Sequence, residues 1–441
     1  MVKKAKIGVL GLVPMIYVMV AAGGFGCEDM VGAVGPGMTL IIFMVLPFVW
    51  SMPFGLVTAE LASAYPVDGG MYAWAQEILG EKAGFVSGWC YMVAGCVEPA
   101  LFAALSVNYL KGFLPFELEG WSYWLACLLV VIVLSAVNLL GIKFLSEMST
   151  GATLLMLIPF AILLVLSLTH LEYNPVMPLK PDDMPLWKAA GQGLLIGIWL
   201  NTGFEAVSTM GGEIENGEKL VPKAIMIAIP FISIMYLVTI FPTLAAVGNW
   251  QDWSSEGPIS FAGAGLILGG KPLNVAFIIA AGVSSLSICC AYIGAYSRII
   301  STMSEKGQFF KCFAKTHPKY GTPHMAIIAI AVVSVIACSG SFIELVGVAG
   351  ILYSVPIILM FVAAIKLRVT QPDLKVAYKV PLKKKGFIAF AIVPMAIYAY
   401  SIFADNWILG LGLAATSIPA YAFFKFKYHG GRDWCPELEE K

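Results

Sequence analysis

Three carboxylates stand where an apolar sequence would place none. Glu28, Glu98 and Glu205 lie deep inside hydrophobic stretches. Two of them close glycine-broken runs, Ala22-Gly23-Gly24-Phe25-Gly26-Cys27-Glu28-Asp29 and Trp199-Leu200-Asn201-Thr202-Gly203-Phe204-Glu205. A carboxylate in hydrocarbon costs roughly 2.5 kcal/mol or more, and glycine is a poor helix former. Both are tolerated where a backbone unwinds to line a cavity, so Gly23, Gly24, Gly26 and Gly203 are expected to act as hinges whose N–H and C=O groups face inward. A helix restarting near Cys27 or Glu28 offers free N–H groups and the positive end of its dipole. That end suits an anion, but Glu28 and Asp29 already supply negative charge there. These acids either cap the half-helix or touch a ligand or a mobile proton. Glu205 is too far from any loop to snorkel and is suited to carrying a proton. Glu98 stands beside the helix-kinking Pro99. With no Lys or Arg expected in the same membrane layer, the three acids make a site for cations, unless they merely share a proton for structural ends. Trp199, one turn before Gly203, either stacks on a bound cation or simply packs.

The elements that must position these residues are helices in a bilayer. The 441-residue chain is 59% hydrophobic and 12% charged, about half the charged fraction of a soluble domain. Apolar stretches of about 20 residues, each long enough to cross a membrane, recur instead. Twelve are predicted, near 8–33, 38–62, 84–112, 122–141, 146–169, 189–213, 222–247, 273–303, 322–339, 342–366, 386–404 and 407–426. The opening Met1-Val2-Lys3-Lys4-Ala5-Lys6 is followed by too long a run, without a small-residue cleavage site, to be a removed signal. With the N-terminus inside, 23 of the 27 Lys and Arg residues fall on the inner side, the positive-inside asymmetry. Both termini are then cytoplasmic, and Trp121, Trp124, Trp187, Trp250, Trp253 and Trp407 form an outer aromatic belt. The nine cysteines, most of them in apolar segments, behave as small hydrophobes and show no metal-ligand spacing. None of the four histidines is placed mid-membrane. The net charge of zero says nothing about partners, and Lys383-Lys384-Lys385 reads as a juxtamembrane topology signal rather than a nucleic-acid site.

The two broken segments are the first and the sixth, each heading a block of five. Blocks of odd number insert in opposite orientations, the inverted-repeat logic of alternating access. The chain is therefore expected to be a single domain: repeat one at about 8–169, repeat two at about 189–366, two extra helices at about 386–426 and a tail at 427–441. The inner loop is expected to hold a short amphipathic helix near Ser304-Glu305-Lys306-Gly307-Gln308. Glu60 and Glu344 sit near segment ends and should reach water. Ser284, Ser285 and Ser287 offer oxygens to sodium but more simply pack helices. There is no phosphate loop, no metal or cofactor motif, no nucleophile–base constellation and no sizeable soluble output domain. ATP-driven, enzymatic and sensory roles are thereby disfavoured.

These residues, with Gly212-Glu213-Ile214-Glu215-Asn216 running into Pro222-Lys223-Ala224, resemble the amino acid–polyamine–organocation transporters. So do Ala59-Glu60-Leu61 to Pro66-Val67-Asp68-Gly69-Gly70, Gly321-Thr322-Pro323 and Tyr378-Lys379-Val380-Pro381, so that the likeness covers essentially the whole chain. Gly24-Phe25-Gly26 falls where many amino-acid members carry a Gly-Ser-Gly-like turn that holds the substrate carboxylate, and here Phe25 replaces the small polar residue. Gly26-Cys27-Glu28-Asp29, Val207-Ser208-Thr209 and Glu98 look closer to the polyamine-uptake branch. The resemblance implies an all-α, leucine-transporter-like membrane fold with substrate between spans 1, 3, 6, 8 and 10. It also implies proton-linked uptake or exchange. Trp199 matches a substrate-stacking tryptophan of the arginine/agmatine exchangers, and Glu205 matches an acid at their inner gate. Together these features predict a cell-membrane carrier of polyamines or related amines, with Glu28 and Glu98 holding ammonium groups, Glu205 gating or coupling and Trp199 as an aromatic wall. The alternative is an amino-acid permease or antiporter that reads an α-amino acid through the two breaks. The oligomeric state and the choice of proton or sodium are left open.

Overall fold

A computed structural model describes residues 5–21, 23–114, 116–255, 259–338, 342–403, 411–412 and 414–429. Among these residues the regular structure is helical apart from two isolated bridges, Ala5 with Ile214 and Trp253 with Ile259. The chain begins with α1 (Val9–Val20) and α2 (Cys27–Val34), which are separated by a non-helical turn. Then come α3 (Pro36–Leu46) and α4 (Met52–Ala64), joined by a π-helical turn at Pro47–Ser51. They are followed by α5 (Met71–Leu79), α6 (Glu81–Leu110), α7 (Trp121–Asn138) and α8 (Ile142–Leu168). A second interrupted stretch follows, α9 (Leu186–Leu200) and a 3₁₀ segment, Ala206–Glu213. The remaining helices are α10 (Gly217–Val247), α11 (Phe261–Glu305), α12 (His324–Ala337), α13 (Phe342–Thr370), α14 (Lys384–Phe403) and α15 (Ser417–His429).

Among the described residues seven helical stretches are long and apolar enough to cross a membrane: Pro36–Ala64, α6, α7, α8, α10, α11 and Leu352–Thr370 of α13. Helices α1 and α12 are shorter apolar helices. The outer surface carries the lipid signature. On α8, Leu154, Ile158, Ile162 and Val165 recur at helical spacing and are exposed, while Met156, Phe160 and Leu163 turn inward. Helix α11 lies against α6, α8, α7 and α12, and α6 lies against α13 and α5, so α6 and α11 form the centre of the bundle. The span expected at 273–303 is the part of α11 that follows a bend at Gly270, where φ is +67°.

At the end of the bundle that carries Ala5, four charged residues are drawn inside. Arg368 of α13 grips Glu60 of α4 through both guanidinium nitrogens, at 2.5 Å each. The Val380 N–H also donates to Glu60, at 2.7 Å. Glu60 does not reach water as expected; it is 4% exposed because the loop after α13 folds back over it. Arg298 of α11 pairs with Glu213 at 2.8 and 3.3 Å. Both arginines are buried within helices. Ala5 completes this end: its N–H donates to the Glu213 carbonyl at 2.7 Å, and its own carbonyl accepts from the Glu215 N–H at 3.0 Å. The amphipathic helix expected near Ser304–Gln308 is absent; α11 simply runs on to Glu305, and a 3₁₀ turn follows at Lys311–Ala314. Of the expected tryptophan belt, Trp121 and Trp187 are exposed and Trp253 is buried. Trp407 lies outside the described residues.

Asp68, in the turn between α4 and α5, accepts the Gly212 N–H at 2.9 Å. Burial pushes its carboxyl up from an ordinary 3.8 to about 7, and Glu213 adds to the push. Arg298 and the Gly212 hydrogen bond oppose it, and Glu305 adds a small push. A carboxyl whose folded value is raised holds its proton in the folded state after the unfolded chain has lost it. Stability therefore falls as pH rises from about 4 to about 7. Replacing Asp68 with Asn should flatten that slope, as read from thermal unfolding midpoints of the purified protein against pH.

Candidate functional site

The two interrupted stretches cross one another. Gly203, with φ +125°, passes so close to the end of α1 that a Cβ there would stand 2.4 Å from the Met19 carbonyl oxygen. Gly26, with φ +92°, faces Leu200 and Trp199 at the end of α9, where a Cβ would stand 3.0 and 3.6 Å from their side chains. The earlier residue of the first stretch thus meets the later residue of the second, and the reverse, so the segments run antiparallel past each other. Only glycine permits both the positive φ and the approach.

Unwound backbone in a low-dielectric interior must find partners, and here they come from surrounding helices. Tyr292 of α11 donates to the Met19 carbonyl at 2.9 Å, and Tyr236 of α10 donates to the Leu200 carbonyl at 2.7 Å. The π turn after α3 aims Trp50 Nε1 at the Asn201 carbonyl, at 3.2 Å, and Ser51 Oγ at Asn201 Oδ1, at 3.1 Å. Asn201 Nδ2 closes on the Gly197 carbonyl at 3.0 Å. Bulges of this kind recur at functional sites because they re-aim side chains without ending a helix.

Glu205 and Glu98 share a cage of tyrosines. Tyr91 donates to Glu205 Oε1 at 3.3 Å and Tyr353 donates to the same oxygen, while Tyr296 donates to Glu98 Oε2 at 3.2 Å. The Tyr91 ring packs against Tyr296 and Tyr353 with centroids 5.2 and 5.4 Å away, and Tyr292 lies 5.4 Å from Tyr296. Glu205 is fully buried, and its Oε2 has no hydrogen-bond partner among the described residues. Among those residues neither acid takes part in an ion pair.

Glu28 is placed apart from this cage. Its Oε2 accepts the Gly26 N–H at 3.0 Å. Asp29 is held by the opposite loop, accepting from Ser254 Oγ, Ser255 N and Ser255 Oγ at 2.8–3.0 Å. Phe25 stands over the turn, its ring 5.3 Å from Phe160 and 6.3 Å from Phe261. Gly23 and Gly24 press against Phe25 and Phe160. The Trp199 ring, 42% exposed, reaches over Gly26. Ser285 and Ser287 donate back to their own helix, to Ala281 and Val283. The Glu344 side chain lies outside the described residues. Among the described residues no cluster of His, Cys, Asp and Glu is arranged to hold a metal ion.

The structure therefore brings Glu98, Glu205, Gly203 and the end of α1 together, sets Trp199 beside Gly26, and gives Glu28 to its own turn. The tyrosines and Trp50 were not singled out from sequence, although a signal existed. Tyr91 precedes Glu98 by two helical turns on one face, and Tyr292 and Tyr296 are one turn apart. Polar aromatics at helical spacing beside a buried acid mark its cage.

The family model for amino acid permeases matches residues 7–423. A probable polyamine transporter of Arabidopsis thaliana is 31% identical over 426 residues, covering 94% of this chain and 82% of the relative. A polyamine transporter of Oryza sativa subsp. japonica is 30% identical, covering 96% of this chain and 79% of the relative. A serine/threonine exchanger of Bacillus subtilis is 26% identical, covering 86% of this chain and 87% of the relative. The relatives' names point to transporters rather than enzymes.

Two glycine substitutions separate the crossing from general helix effects. Gly203→Ala should lower stability by about 2 kcal/mol or more through strain and the Met19 clash. Gly151→Ala, in open space on α8, should be neutral or stabilising by up to about 1 kcal/mol. Thermal unfolding of both purified variants checks the contrast; equal melting temperatures would remove the crossing from the account.

Proposed function

The chain belongs to the amino acid permease family, within the amino acid–polyamine–organocation superfamily, and from that premise we propose that this multi-pass membrane protein carries polyamines or related amines by alternating access. The observation that carries the reading is the pair of tyrosine-caged carboxylates, Glu98 and Glu205, which no Lys or Arg neutralises among the described residues. A cation entering that cage gains the attraction of two acids in a low-dielectric setting. The polyamine transporters among the relatives support the same class of cargo.

In this mechanism Glu98 takes an ammonium group, and Glu205, whose Oε2 has no hydrogen-bond partner among the described residues, couples or gates by alternating between a proton and the cargo. Trp199 forms an aromatic wall. Gly23, Gly24, Gly26 and Gly203 are the hinges, with Phe25 closing the turn. The antiparallel crossing of the two breaks supports a pair of inverted five-helix repeats, about 8–169 and 189–366. Two more helices, at about 386–426, would complete twelve spans. Such repeats rock around a midplane site. Opening at the Ala5 end would require the Arg298–Glu213 pair to part. The protein would sit in the cell membrane with both termini cytoplasmic, and a proton gradient would drive uptake or exchange. The bacterial serine/threonine exchanger among the relatives keeps an amino-acid cargo as the second reading.

Uptake of radiolabelled putrescine into proteoliposomes, with and without an inward proton gradient and with arginine as competitor, tests the proposal. Gradient-dependent putrescine uptake is expected, and Glu98→Gln should reduce it by about tenfold or more, as losing one charge-assisted contact does. Vesicles that are active with neutral amino acids but take up no putrescine would reject the amine reading.

A further inference from the structure

The Ala5 end of the bundle also carries a surface whose charge has one sign. The loop 306–323, between α11 and α12, holds Lys306, Lys311, Lys315 and Lys319, α15 adds Lys425 and Lys427, and neither segment contains an Asp or Glu. Lys306 is neutralised by Glu77 at 2.8 Å. Lys311 and Lys427 are exposed, and among the described residues neither takes part in an ion pair.

Rings, rather than acids, hold these two lysines beside one another. Phe309 and Phe310 of the loop pack on Phe424 of α15, with centroids 5.2 and 5.1 Å away. The Lys311 N–H donates to the Tyr428 hydroxyl at 3.3 Å, which ties the loop to the end of the helix. Lys427 Nζ stands 4.4 Å from the centroid of Phe310, and Lys311 Nζ stands 5.5 Å from that of Tyr428. A ring face orients an ammonium group without cancelling its charge, and an ammonium has three N–H donors to offer.

The neighbouring surface says what would bring the anion. Along α15, Ile418, Ala422 and Phe426 recur one helical turn apart and are exposed, while Ser417 and Phe424 turn inward. Phe426 is 71% exposed and stands directly before Lys427. A soluble anion would need the lysines alone. An apolar stripe that runs into a pair of unneutralised lysines matches a molecule with a hydrocarbon tail and an anionic head.

We propose that the seam between the loop 306–323 and α15 is a binding site for an anionic phospholipid. Its phosphate sits between Lys311 and Lys427, and its acyl chain lies along Ile418, Ala422 and Phe426. The site is separate from the tyrosine cage and does not depend on which cargo the protein carries.

The test measures binding of dioleoylphosphatidylglycerol and dioleoylphosphatidylcholine, which share their chains and differ in headgroup charge. Native mass spectrometry of the purified full-length chain, released from an uncharged detergent, counts the bound lipid. The wild type should bind phosphatidylglycerol at least about tenfold more tightly. The double variant Lys311→Gln with Lys427→Gln should lose about tenfold or more in phosphatidylglycerol affinity and leave phosphatidylcholine unchanged. Arginine at both positions, which keeps the charge, should retain the binding. Lys384→Gln with Lys385→Gln, which removes as much charge from the exposed start of α14, should leave phosphatidylglycerol binding unchanged. Equal wild-type affinity for the two lipids, or equal losses in the two glutamine variants, overturns the site. Displacement of the lipid by inorganic phosphate would point to a free anion instead and overturns it as well.

Discussion

Backbone that leaves helical geometry inside hydrocarbon must have its N–H and C=O groups answered by protein, because no water is present to do so. The crossing of the two breaks depends on this throughout. Met19, Leu200 and Asn201 each end or follow a helix with a carbonyl unspent. Each is met by a donor from another helix: Tyr292, Tyr236 and Trp50. The N–H of Gly26 is met by Glu28. Removing any one donor leaves a buried acceptor unpaired, at a cost of about 1–3 kcal/mol. The glycines allow the unwinding, but these partners hold it in one geometry.

The charged residues divide into two populations by how they are neutralised. At the Ala5 end Glu60 and Glu213 are gripped by Arg368 and Arg298, with backbone groups filling the remaining positions. Breaking such a buried pair by removing one partner costs about 3–5 kcal/mol. These acids are fixed in place by that cost. Among the described residues the side chains that donate to Glu98 and Glu205 are phenols, which give a hydrogen bond without supplying a charge. In the function proposed above, cargo or a proton meets their charge.

This division explains which parts of the site were legible in the sequence. Glycine and acid inside an apolar run are improbable enough to stand out, so Gly23, Gly26, Gly203, Glu98 and Glu205 could be selected from one chain. The family resemblance rested on loop motifs of the same improbable kind. Tyr91, Tyr292, Tyr296 and Tyr353 are ordinary membrane residues singly, and only their facing across α6, α11 and α13 makes them a cage. Trp50 is legible least of all, since it reaches Asn201 through a π turn that no periodicity announces. Glu60 was misjudged for a related reason. Its distance along the helix was right, but the loop at 371–383 returns to bury it, and a fold-back of that kind leaves no mark in hydropathy.

Glu28 shows how much an acid's role depends on where its charge is spent. From sequence it stood equal to Glu98 and Glu205, one of three carboxylates around a cation. In the fold its carboxylate turns back to the Gly26 N–H, at the start of α2, where the helix dipole favours negative charge. An acid so placed is satisfied by the protein and has less to offer a cation than Glu205, whose second oxygen has no partner among the described residues.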